Sequence, residues 1–192
     1  MPRPSRAEEQ RREFLPILVQ AFGELGFRRS TTAELARRCG VRENILYRLW
    51  ADKKAMFIAA LDHVFDVSER AWQGLQDRKG EGSAAARILE YEAHHHGEFG
   101  NFKIVFAGLS ESDDPEIRAA LRKMYRRFQA RIQSEIESHR GVEPGSDDAG
   151  LAAWALIGLA TTANIGRQLR CLDRDARSAL FGEIGQRLLD GE

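Results

Sequence analysis

The chain has 192 residues, with 29 Lys/Arg against 29 Asp/Glu and a hydrophobic share of 43%, so it reads as a globular protein with one substantial core or a small head on a larger body. No apolar run approaches the ~18 residues of a membrane span, which leaves no membrane partner to expect. The start, Met1-Pro2-Arg3-Pro4-Ser5-Arg6, leads into charged residues and not into an apolar signal core, so a cytoplasmic protein is expected.

Period-two alternation of β-branched residues is absent, and the chain is predicted to be all-α with about nine helices. The first helix carries Phe14, Leu18, Ala21, Phe22 and Leu25 on one face, and Gly26 stops it. Pro16 sits within that pattern and predicts a kink or a later start. A second helix is predicted from Thr32 to Cys39 and a third from Glu43 to Leu49. A long fourth begins near Asp52, with Phe57, Leu61, Val64, Phe65, Trp72 and Leu75 as its buried stripe.

Asp77-Arg78-Lys79-Gly80-Glu81-Gly82 is a polar break. A fifth helix is expected from Ser83 to His96. Gly97 and Gly100 then loosen the chain before a short apolar helix with Phe102, Val105, Phe106 and Leu109. After a turn, Ile117, Leu121, Met124, Tyr125, Phe128, Ile132 and Ile136 recur at helical spacing. Arg140 to Asp148 is a loop rich in Gly and Pro, and two helices, about 149–169 and 174–189, close the sequence.

The segment from Thr31 to Trp50 carries chemistry. With Thr31 as N-cap, Glu34 falls at the position that completes a capping box. A helix start also favours negative charge, so Thr31 is a phosphate candidate. Gly40 supplies the left-handed residue of a tight turn, Val41 plugs it, and Ile45 and Leu46 face inward. That leaves Arg42, Glu43, Asn44, Tyr47 and Arg48 available to a ligand. Two short helices joined by such a turn form a helix-turn-helix, whose second member lies in the major groove of DNA. Charge agrees in direction. Residues 1–60 hold 12 Lys/Arg against 7 Asp/Glu, and the remainder holds 17 against 22, a basic head on an acidic body.

Gly26-Phe27, Ser30-Thr31, Leu35-Ala36, Cys39-Gly40-Val41-Arg42, Leu46-Tyr47, Leu49-Trp50 and Lys53, with Phe22 ahead of them, resemble the signature of the TetR family of bacterial transcriptional regulators. The resemblance covers about residues 14–60. Three departures stand out. Arg42 replaces the usual Ser at the cap of the recognition helix, Leu49 replaces His or Tyr, and Trp50 replaces Phe. A lost cap costs roughly 0.5–2 kcal/mol.

The resemblance implies that Tyr47 and Lys53 contact phosphate. Arg42 and Asn44 are the base-reading candidates, because Arg pairs with guanine and Asn with adenine. It also implies a DNA-binding domain over 1–55 and a helical effector-binding and dimerisation domain over 56–192. The expected partners are double-stranded operator DNA, a second copy of the chain and an unknown small-molecule effector, with the protein acting as a repressor. Small residues of the penultimate helix (Ala152, Ala153, Ala155, Gly158, Ala160, Ala163, Gly166) and Leu180, Phe181, Ile184 and Leu188 of the last helix suit a four-helix dimer interface. They equally suit packing inside one subunit. The effector candidates are Trp72, Tyr91, His95, Phe99, Phe102, Phe106, Met124, Tyr125 and Phe128, which suit either a pocket or an ordinary core.

His94-His95-His96 invites a metal reading, but consecutive helical positions lie ~100° apart and do not converge on one ion. No phosphate loop, nucleophile elbow, paired metal-ligand motif or CxxC is present, so no enzyme, cofactor or metal site is expected. Cys39 and Cys171 are far apart and expected to stay reduced. The alternative reading is a helical ligand-binding or interaction protein that has lost sequence-specific DNA binding.

Overall fold

The structure, a computed structural model, describes residues 5–77, 82–97 and 100–192. Most of the predicted polar break at 77–82 and the effector candidate Phe99 lie outside these residues. The described chain is helical, with no strand among the described residues. Its helices are α1 (Arg6–Leu25), α2 (Thr32–Arg38), α3 (Glu43–Leu49), α4 (Lys53–Gln76), α5 (Ala84–His95), α6 (Phe102–Leu109), α7 (Pro115–Arg140) and α8 (Asp147–Leu169). A last helix, α9, spans 174–190. It consists of Arg174–Ala179, a π-helical stretch Leu180–Gly185 and Gln186–Asp190. Gly182 and Gly185 lie in the π stretch, which the periodicity of the sequence does not reveal.

Helix boundaries follow local chemistry. Ser5 and Glu8 form a reciprocal capping box at the start of α1 (Glu8 N to Ser5 Oγ 3.3 Å, Ser5 N to Glu8 Oε2 2.7 Å). This box sets the start at Arg6, so Pro16 does not delay the helix. Pro16 is exposed, and water can meet the carbonyl that its missing N–H leaves unpaired. Asp52 caps α4 through Ala55 N at 2.7 Å. Ser83, Ser146 and Asp173 do the same for α5, α8 and α9.

The chain divides into two compact units. Unit 1 comprises residues 1–67 and 99–124, and unit 2 comprises 68–98 and 125–192, so α4 and α7 each contribute to both. In unit 1, Leu18, Phe22, Leu35, Leu46, Met56 and Phe57 are fully buried. Each such side chain contributes about 1.5–3 kcal/mol relative to exposure. Phe22 meets Phe57 edge-on at 4.9 Å, and Phe27 lies 5.1 Å from Phe57. Helix α6 packs on α1 at Gly23, where an added Cβ would stand 2.9 Å from Lys103 Cβ. Only a residue without a side chain permits that approach.

Unit 2 has its own core of Ala85, Leu89, Ile136, Ala149, Ala152, Ala153, Ala163, Phe181 and Leu189. Buried Glu137 accepts from Gln133 Nε2 (2.7 Å), Gly145 N (2.8 Å) and Ser146 N (3.1 Å), and so holds the loop between α7 and α8. Those donors, Gln133 foremost, keep its carboxyl below the usual range. Trp72 is buried here, edge-on to Phe128 at 5.8 Å. One sequence expectation needs correcting. Helix α8 is long and apolar enough to cross a membrane by length and composition alone. Its acidic residues sit in the first turn and Arg167 in the last, and the turns between carry no charge.

Candidate nucleic-acid interface

The turn between α2 and α3 is closed by the backbone. Val41 N donates to Ala36 O at 3.0 Å and Gly40 N to Arg37 O at 3.1 Å, with Gly40 at φ +68°. This is a Schellman ending, and it needs a residue free to adopt the left-handed conformation. Leu35 and Ala36 of α2 and Leu46 and Leu49 of α3 are buried, which fixes the two helices against α1. Arg11 of α1 reinforces this, donating through Nε (3.1 Å) and Nη2 (2.6 Å) to Leu49 O at the end of α3. Leu49 and Trp50, two departures from the family signature, are both buried.

Thr31 caps α2, its Oγ1 accepting from Glu34 N at 3.2 Å. The expected capping box is only half formed. The Glu34 carboxylate turns away to Arg37 (2.7 Å through each of two nitrogens) and Arg38 (2.9 Å), because two guanidiniums offer it stronger, charge-assisted bonds. Those arginines depress the Glu34 carboxyl to about 2. Arg38 also reaches Glu24 at 2.5 Å.

The recognition helix starts without a side-chain cap, as the Arg42 substitution predicts. Thr31, Arg42, Glu43, Asn44, Tyr47 and Arg48 are all exposed. Tyr47 is 49% exposed, an unusual state for a large aromatic, and its hydroxyl shares a hydrogen bond with Thr32 Oγ1 at 3.0 Å. Arg48 donates to Gln10 at 2.9 Å. Arg42, Glu43 and Asn44 make no side-chain hydrogen bond or ion pair among the described residues.

Lys53 sits differently. Its Nζ donates to Phe27 O and Ser30 O, both at 3.0 Å, and lies 4.5 Å over the Phe27 ring. Its place at the unfavourable start of α4 therefore has an explanation other than phosphate, since it clamps the loop between α1 and α2. Ser30 completes the clamp. It is 1% exposed and donates to Gly26 O at 2.6 Å. Sequence reasoning missed this role for Ser30, since a polar residue in a loop gives no sign of burial.

The effector candidates divide between the units. Phe102, Phe106 and Met124 belong to unit 1, where Met124 is buried and Phe102 meets Phe106 edge-on at 6.1 Å. Trp72, Tyr91, His95, Tyr125 and Phe128 belong to unit 2. The Trp72 indole N–H donates to Glu92 at 2.8 Å, Tyr91 stacks on exposed His95 at 4.6 Å, and Tyr125 stacks on Trp154 at 6.5 Å. Burial pushes the Tyr125 hydroxyl above its ordinary pKa. Neither unit holds the whole set. No group of three or more metal-ligating side chains occurs among the described residues.

The described geometry has counterparts. The family model for bacterial regulatory proteins of the tetR family matches residues 19–60, which span the end of α1 through the start of α4. The nucleoid occlusion factor SlmA of Haemophilus influenzae is 40% identical over 58 residues, or 30% of this chain and 27% of that protein. The chain thus matches about a quarter of the length of that curated relative. Two solved structures share the fold along almost the whole length. A TetR-family transcriptional regulator from Cytophaga hutchinsonii has a TM-score of 0.73 at 16% identity, covering 99% of this chain and 98% of its own. The regulator FadR from Bacillus subtilis, in complex with stearoyl-CoA, has a TM-score of 0.68 at 15% identity, covering 94% and 98%. The head, residues 19–60, thus matches the tetR family of bacterial regulatory proteins, and the chain as a whole shares the fold of these solved regulators.

Proposed function

We propose that this chain is a DNA-binding transcriptional regulator of TetR type, a cytoplasmic homodimeric repressor released from its operator by a small-molecule effector. The observation that carries the reading is the face of the helix-turn-helix. Arg42, Asn44 and Tyr47 stand exposed at a recognition helix whose Leu46 and Leu49 are buried. In this reading Arg42 and Asn44 read base edges, and Thr31, Tyr47 and Arg48 meet the backbone, with Glu43 beside them. Lys53 contributes a weaker phosphate contact, since two of its three N–H groups are engaged within the chain. Residues 1–55 supply the DNA-binding domain and 56–192 the effector and dimerisation domain.

Dimerisation is supported by a stripe along α8. Leu151 and Leu169 are each 70% exposed, and Trp154 and Ile165 lie between them on the same face. Ile184 of α9 is also exposed. A two-fold dimer would place two recognition helices about one DNA turn apart, ~34–36 Å. FadR from Bacillus subtilis was solved with stearoyl-CoA, so a protein of this fold does hold a small molecule. Effector binding would shift the population between two states, with α4 and α7 carrying the change because both run through the two units.

A gel shift against the DNA flanking the chain's own gene tests the reading. A retarded band that Tyr47→Ala weakens and that salt disrupts steeply is the expected result. No retarded band at low salt would overturn it and favour the alternative, a helical ligand-binding or interaction protein without sequence-specific DNA binding.

A further inference from the structure

Within unit 2 lies a cavity of about 160 Å³ that opens to solvent on one side. Arg167 near the end of α8 and Arg174 and Arg177 of α9 line it, together with His94 and His96. Its apolar wall is Phe181, with Ala93 and Ala163 beside it. Among the described residues, no carboxylate lines it. Glu92, one turn before His96, is turned to the Trp72 indole and to His96 Nδ1 at 2.7 Å. Asp173 is spent on capping Ala176 N at 2.8 Å.

Some other arginines of unit 2 are ion-paired. Arg131 is held between Glu69 and Glu135, and Arg140 reaches Asp148 at 2.5 Å. Arg167, Arg174 and Arg177 form no ion pair among the described residues. Arg177 Nη1 donates to Leu172 O at 2.7 Å and Arg167 Nη1 to His96 O at 3.3 Å. These bonds orient two guanidiniums and leave most of their five N–H groups free. His96 is fixed as wall. Its Nδ1 meets Glu92 Oε2, its Nε2 lies 3.1 Å from Ala160 O and 3.0 Å from Asn164 Nδ2, and the ring packs on Phe181 at 5.0 Å. Like charges gathered without a counter-ion repel, and an arriving anion relieves that repulsion. Guanidiniums also match the planar, two-oxygen shape of a carboxylate. Size selects the rest of the ligand, since an apolar cavity of about 150 Å³ holds benzene.

We infer that this cavity is a binding site for a small aromatic or short-chain carboxylic acid, about the size of benzoate. The carboxylate meets Arg174 and Arg177, and the apolar part lies against Phe181. The acid's identity as the effector rests on the proposed function, whereas its binding does not.

Titration calorimetry of the full chain tests this with three probes: sodium benzoate, benzyl alcohol as a neutral ring, and inorganic phosphate as an anion without a ring. Benzoate should bind saturably at one site per chain, with the other two at least tenfold weaker. Arg174→Gln should weaken benzoate at least tenfold at an unchanged melting temperature, because the Arg174 side chain makes no hydrogen bond among the described residues. Arg177→Lys, which keeps the charge but loses the fork, should weaken it as well. Absent benzoate binding, an unaffected Arg174→Gln, or equal binding of benzyl alcohol or phosphate would each overturn the inference. A gel shift without benzoate separates the two readings, since Arg174→Gln should bind DNA as the parent chain does.

Discussion

The two units treat positive charge differently. In unit 1, Arg28 is tied to Glu111, Arg37 and Arg38 to Glu34, Lys54 to Asp114 and Glu116, and Lys123 to Asp62. Arg42, one of the cations without an ion pair there, stands exposed at the start of a helix. In unit 2, three unpaired arginines face a hollow. A free cation on a projecting surface can be reached by an extended polyanion. Cations gathered around a cavity of about 160 Å³ suit something small. On the two proposed readings the same residue type would serve two classes of partner, and the shape of its surroundings would make the distinction.

Lys53 offers the largest test of that contrast, because two of its three N–H groups are engaged inside the fold and only a weaker phosphate contact is left to it. Lys53→Met keeps the aliphatic stem and removes two charge-assisted bonds to backbone carbonyls. Such bonds contribute ~1.5–3 kcal/mol each, and water recovers part of the loss, so about 3 kcal/mol of stability should go. Chemical denaturation measures this. An unchanged midpoint would return Lys53 to the role of a simple phosphate contact.

Tyr47→Ala and Arg42→Ala should behave in the opposite way. Both side chains are exposed, and their loss should leave the melting temperature within a degree or two. Operator affinity should fall in each case, by about tenfold or more for Arg42, since a well-made base contact contributes ~1–3 kcal/mol, and uniformly across sequences for Tyr47, which meets the backbone. Arg42→Ser sharpens the point. It restores a preferred cap to the recognition helix and should stabilise the fold by roughly 1 kcal/mol, while weakening DNA binding. A variant both more stable and tighter on DNA would show that Arg42 reads nothing.

Helix positions were legible in the sequence because apolar spacing and capping residues are local signals. The Thr31 cap, the left-handed Gly40 and the uncapped Arg42 follow from neighbours within a few residues. What was not legible depends on distant partners. Lys53 meets Phe27 and Ser30 across 26 and 23 positions, and nothing near Lys53 announces two carbonyls. Glu34 has the spacing of a capping box, yet two adjacent arginines outbid the backbone for its carboxylate. The histidine run carried a similar ambiguity. His95 was the candidate, whereas His94 and His96 line the cavity and His95 stacks on Tyr91 in the open. The arginines of that cavity come from two helices, and only the fold brings Arg167 together with Arg174 and Arg177.

The smallest expected effect separates the units by their carboxylates. Glu34 and Glu137 both have lowered pKa values, so each stabilises the fold above the ordinary carboxylate range and loses that contribution as pH falls through its folded value. For Glu34 the window runs from 4.5 down to about 2. Glu34→Gln should therefore cost stability at pH 7, and the gap from the parent chain should close as the pH approaches 2. Glu137→Gln should show a gap that closes in the same direction. Salt distinguishes them. The arginines that lower Glu34 are at the surface, and their attraction is screened at 1 M salt, where the Debye length is about 3 Å. Glu137 is held by an amide side chain and two backbone N–H groups, which carry no net charge to screen. High salt at pH 7 should shrink the Glu34 gap and leave the Glu137 gap in place. Equal salt sensitivity in both would mean that charge pairing does not set the head apart from the body at these carboxylates.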